Sequence, residues 1–125
     1  VNSVIAAAGT HLLADFHGVA ASLLRDARTL ERLLRDAAQR AGAQVLSSHF
    51  HTFGEQDGVT GVVLLSESHI SIHTWPESAF AAIDVFMCGS ADPRCAIAEL
   101  TRVLAPKQQL VKEAARGLFD RGLIG

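Results

Sequence analysis

At 125 residues the chain fits a single domain, residues 1–125, large enough to bury a core unaided. With 49% hydrophobic residues, 19% charged residues and a formal net charge of −2, it lacks the basic stripe that a nucleic-acid partner needs, and no apolar run is long enough to span a membrane. Cys88 and Cys95 are too few for a disulfide framework and fit a cytoplasmic protein with free thiols, while VNSVIAAAGTHLLADFHG has no cationic start, so no signal peptide is expected.

Residues 9–17, GTHLLADFH, alternate in the manner of a strand. Leu23, Ala27, Leu30, Leu34, Ala37 and Ala41 then recur at helical period, with Asp26 as N-cap and Gly42 where a terminating glycine belongs. Residues 43–53 predict a second strand and residues 54–58, GEQDG, a turn. VTGVVLLSES and HISIHTWP read as extended, and FAAIDVFMC, residues 80–88, as another strand. Pro93 opens a second helix with Ala96, Ile97, Leu100, Val103 and Leu104 on its apolar face, and KQQLVKEAARG reads as a final strand or an extended tail.

Strands bunched between two helices predict an α+β fold, a two-layer α/β sandwich with an antiparallel sheet and both helices on one face. The other face of so apolar a sheet needs a cover, and a second copy of the chain is the expected one. Alternation puts Ile70, Ile72 and Thr74 on one face and His69, Ser71, His73 and Trp75 on the other. In the same way Ala82, Asp84, Phe86 and Cys88 separate from Ala81, Ile83, Val85 and Met87. One face therefore carries His73, Asp84 and Cys88, groups able to exchange protons with a ligand. Asp84 either holds neighbouring backbone or pairs with His73.

The Glu67-Ser68 peptide offers a specific chemistry. A serine hydroxyl can attack the carbonyl before it and turn the amide into an ester, given a polarised carbonyl and a base. Removal of the serine α-proton then breaks the ester by β-elimination. The chain parts, and the new N-terminus hydrolyses to a pyruvoyl group. Such a ketone takes an amine as a Schiff base and holds the electrons left when CO₂ departs. The cut falls between Glu67 and Ser68, giving chains 1–67 and 68–125.

SESHISIHTWPE followed by AAIDVFMCG resembles the pyruvoyl-dependent S-adenosylmethionine decarboxylases of the short bacterial and archaeal class, and GTHLLADFHG and DGVTG fit the same pattern. The resemblance covers roughly residues 9 to 116. It implies that Ser68 becomes the pyruvoyl group, that His73 abstracts the α-proton during self-cleavage, and that Cys88 protonates the substrate after CO₂ leaves. It further implies a supporting hydroxyl at Thr60, ribose binding by Glu77, and adenine stacking on Trp75 and an aromatic for which Phe53 is the candidate. A homodimer with sites at its interface, no metal and no added cofactor complete the expectation, with S-adenosylmethionine as substrate and an aminopropyl donor for spermidine as product. In three places the chain departs from the family pattern: SAFAA replaces a segment with glycine and tyrosine, His17 and Val19 replace tyrosine and cysteine, and GEQDG is longer and lacks proline.

Taken singly, these residues have ordinary readings: Ser68 ends a strand, His73 is a satisfied core histidine, Cys88 is a small buried hydrophobe, as Cys95 is taken to be. Together with the surrounding string they outweigh them. The spacing of His49, His51, His69 and His73 is not that of a zinc site. Two alternatives stand beside the leading one: the same chemistry on arginine or ornithine, and an unprocessed, non-catalytic binding or regulatory homologue.

Overall fold

The computed structural model describes residues 8–117. The expectations for the leader and for the outer ends of the two fragments fall on residues outside that range. In chain order the elements are β1 (Gly9–His17), α1 (Ala21–Leu24), α2 (Ala27–Arg40), β2 (Val45–Thr52), β3 (Val59–Leu65), β4 (Ser68–Trp75), a 3₁₀ turn (Pro76–Ser78), β5 (Phe80–Cys88), α3 (Pro93–Leu104) and β6 (Gln108–Arg116). The six strands form one sheet in the order β2-β3-β4-β5-β1-β6, with every ladder antiparallel.

Local chemistry sets the helix ends. The Asp26 carboxylate accepts the Thr29 N–H at 3.1 Å and the Thr29 hydroxyl at 2.7 Å, which caps α2 and holds the acid below its usual pKa. At the other end Gly42 takes a φ of 88°, and Ala43 N–H turns back to Ala38 O at 3.0 Å. Asp92 caps α3 ahead of Pro93. The short turn α1 is an addition to the two expected helices: Leu23 and Leu24 belong to it and not to α2.

The core lies between the sheet and the helices. Leu12, Phe16, Ile70, Ile72, Ile83 and Val85 meet Leu30 and Leu34 of α2 and Leu100 and Leu104 of α3, all essentially solvent-free. Each buried side chain of this size contributes about 2 kcal/mol. Thr74 is the polar exception, donating to Leu24 O at 2.6 Å and accepting from Val59 N–H at 2.8 Å, and so tying β4, β3 and α1 together.

One strand boundary differs from the sequence reading, and one open choice is resolved. The extended run 59–68 breaks at Ser66-Glu67, a tight turn that leaves Ser68 as the first residue of β4, paired with Leu65. Residues 108–116 are a true strand, paired along β1 at the sheet edge.

Among the described residues no element covers the opposite face of the sheet. Leu13, Leu64, Trp75 and Leu110 are 41%, 43%, 41% and 57% exposed there. Among the described residues no helix is long and apolar enough to cross a membrane.

Candidate active site

The β3–β4 turn carries the first group. Glu67 sits at φ 61°, a left-handed conformation that costs a non-glycine residue about 1–2 kcal/mol. Its carbonyl oxygen accepts a hydrogen bond from the Cys88 thiol at 3.3 Å. The Cys88 backbone N–H donates to Ser68 Oγ at 3.3 Å, and the Ser68 oxygen and the Cys88 sulfur are 3.6 Å apart. Cys88 reaches both because it ends β5 beside the start of β4. Ser68, Glu67 and Cys88 therefore meet at this turn.

A cleft of about 390 Å³ opens beside them, lined by His11, Glu67, Ser68, His69, Phe86 and Arg116. His11, Phe86 and His69 face one another across β1, β5 and β4. Burial, and then the neighbouring His11, push the His69 pKa down, against a smaller upward pull from Asp84.

The second group lies at the far end of β4. Thr60 Oγ1 and His73 Nδ1 are 3.0 Å apart across the β3–β4 ladder. They share a cleft of about 360 Å³ with Phe53, Asp57, Trp75 and Glu77. Trp75 stacks on Phe80 at 5.2 Å, and Phe80 on His17 at 4.9 Å, giving a flat aromatic shelf across three strands.

Within one chain the two groups do not meet. Ser68 and His73 are five residues apart on one strand, which is about 17 Å. Phe53, Thr60, Trp75 and Glu77 all belong to the His73 end.

Asp84 pairs neither with His73 nor with neighbouring backbone among the contacts of the described residues. Its carboxylate accepts from the Ser71 hydroxyl at 3.4 Å and lies 3.5 Å from His11 Nε2. His73 is two rungs away, opposite Ala82. His11, His69, Phe86 and Arg116 were not singled out by the sequence reading. The alternation of β4 and β5 did place His69 and Phe86 on the right face, whereas His11 and Arg116 become neighbours only through the β5-β1-β6 order. No group of three or more His, Cys, Asp or Glu side chains among the described residues could hold a metal ion.

Comparison with known proteins bears on this geometry. A family model described as S-adenosylmethionine decarboxylase matches residues 10–117. The chain is 41% identical over 116 residues to the S-adenosylmethionine decarboxylase proenzyme of Caldicellulosiruptor saccharolyticus, covering 92% of this chain and 93% of that one. To the proenzyme of the same name from Persephonella marina it is 47% identical over 110 residues, 87% of this chain and 82% of that one. The crystal structure of the adenosylmethionine decarboxylase from Aquifex aeolicus superposes with a TM-score of 0.84 at 37% identity, covering 92% and 95% of the two chains.

Proposed function

The chain belongs to the S-adenosylmethionine decarboxylase family, and on that premise we propose that it cuts itself between Glu67 and Ser68 and uses the resulting pyruvoyl group to decarboxylate S-adenosylmethionine. The named relatives favour this substrate over arginine or ornithine.

The observation that carries the reading is the state of the Glu67-Ser68 peptide. Its carbonyl is held in a left-handed turn and polarised by the Cys88 thiol, while Cys88 N–H orients the attacking oxygen. Attack by Ser68 Oγ makes the C–O bond and releases the amide nitrogen as an amine. Loss of the Ser68 α-proton expels the Glu67 carboxylate and parts the chain into 1–67 and 68–125. Hydration of the dehydroalanine then releases ammonia. These residues suit a pyruvoyl group at position 68, which supplies an electron sink when CO₂ leaves. Cys88, beside that position, is the proton donor to the substrate's α-carbon.

His73 is the base for the α-proton. Nδ1 is engaged by the Thr60 hydroxyl, which leaves Nε2 as the ring nitrogen free to take a proton in the tautomer with hydrogen on Nδ1. Its distance from Ser68 within one chain supports a base supplied by a second copy. Two sheets packed face to face about a two-fold axis bring the partner's His73 over Ser68 and cover Leu13, Leu64 and Leu110. The partner's Phe53, Trp75 and Glu77 then bind the adenosine end of the substrate, aromatic faces favouring its sulfonium by on the order of 1 kcal/mol. The free thiols suit the reducing cytoplasm.

Denaturing electrophoresis and intact mass test the reading. Wild type is expected as two fragments, the second beginning with a ketone-blocked residue 68, and Ser68→Ala as one inactive chain. An active enzyme of uncut chains would overturn it.

A further inference from the structure

The cleft beside Ser68 holds more polar machinery than self-cleavage uses. Arg116 Nη1 lies 3.4 Å from His11 Nδ1. A guanidinium only donates, so Nδ1 carries the lone pair and the ring hydrogen is on Nε2. That Nε2 is buried without a hydrogen-bond partner. The Asp84 carboxylate lies 3.5 Å from it without making a hydrogen bond. Phe86 packs against both His11 and His69, its ring centre 6.0 Å and 6.1 Å from theirs, as an apolar wall. A cation at the mouth, an unsatisfied N–H inside and an apolar wall together describe a receptor for one small anion.

We infer that this cleft takes the α-carboxylate of the substrate, with Arg116 and His11 Nε2–H as its donors and Phe86 excluding water from it. The inference rests on the reading of position 68 as the reacting ketone, since it is the substrate bound there that has a carboxylate within reach. In the step itself the bond between the α-carbon and the carboxylate breaks, the electron pair stays with the α-carbon, and CO₂ leaves neutral. An apolar wall favours that change, because the charged ground state is the one it desolvates. Acidic groups stand close by, Glu67 in the cleft lining and the Asp84 carboxylate beside His11. They keep the anion's hold moderate, as suits a group that must depart and gains nothing from tight ground-state binding.

Another carboxylate could occupy the same place: the one freed at the end of chain 1–67. The test separates the two. Calorimetric titration of Ser68→Ala, which cannot be cut and has no freed carboxylate, is carried out with S-adenosylmethionine and with its decarboxylated product. Adding Arg116→Met should weaken substrate binding by about 10- to 100-fold, the worth of a charge-assisted hydrogen bond, and leave product binding within about twofold. Arg116→Lys should restore most of the difference. In the mature enzyme, Arg116→Met should raise KM without changing the product inhibition constant, with the fragment pattern on a gel unchanged. Equal loss for both ligands, or none for either, overturns the inference while leaving the Ser68 reading intact. Failure of the wild type to cut would strike that reading itself.

Discussion

The Cys88 thiol donates to the carbonyl oxygen of Glu67 at 3.3 Å, one bond from where Ser68 Oγ must attack. A cysteine expected to act only on substrate thus also touches the peptide to be cut. Cys88→Ala should slow cutting by about three- to tenfold, the value of one net hydrogen bond, and abolish turnover once cutting is complete. Cys88→Ser, which keeps a donor, should cut nearly as fast as wild type. Band intensities against time on a denaturing gel measure both.

The separation of Ser68 from His73 predicts complementation. His73→Ala alone should remain uncut, and so should Ser68→Ala. Co-expressed in equal amounts, they should form heterodimers in which one site of the proposed dimer has both groups. About half of the His73→Ala chains should then be cut, the share that random pairing puts in heterodimers. Differently tagged chains followed by mass spectrometry give the count. No cutting in the mixture would place the base on the same chain as the serine, or on another residue.

Ala79 adopts φ 53° and ψ 35° after the 3₁₀ turn, with its N–H on Pro76 O at 3.1 Å and its carbonyl accepting Val19 N–H at 3.0 Å. A side chain there is strained by its own backbone. Ala79→Gly should stabilise the fold by about 0.5–1 kcal/mol, the strain relieved less the extra freedom glycine loses. Urea denaturation with an unchanged slope would register it.

His69 is held below its ordinary pKa by burial and by His11. The unfolded chain therefore binds this proton more readily than the folded one. The contribution is fully present above the unfolded histidine value and is lost as pH falls through and below it. Stability should decline from pH 7.5 to pH 5.5, and His69→Gln should flatten that decline. A slope that steepened in the variant would contradict the assignment.

Much of the fold is legible from local chemistry. Asp26, Gly42 and Pro93 mark helix ends that the structure keeps, and alternation in β4 and β5 sorts their two faces correctly. The break at Ser66-Glu67 was not visible, because the run contains no glycine, proline or asparagine there and the turn is made by Glu67 in a strained conformation. Strand order was not visible either: β1 pairs with β5 and β6, roughly seventy to a hundred residues away, and no short-range pattern encodes that. The site followed the same division. The residue types came from one stretch of sequence, their split into two groups from the length of β4, and the nearness of Arg116 to Ser68 only from the sheet.

The strand order has a consequence for the proposed cut. Residues 1–67 supply β1, β2 and β3, and residues 68–125 supply β4, β5 and β6. Because β1 is flanked by β5 and β6 while β3 borders β4, the pieces are interleaved like clasped fingers and share three ladders and a common core. A nick at the hairpin apex would sever the covalent thread without opening a seam, and the halves would stay one body.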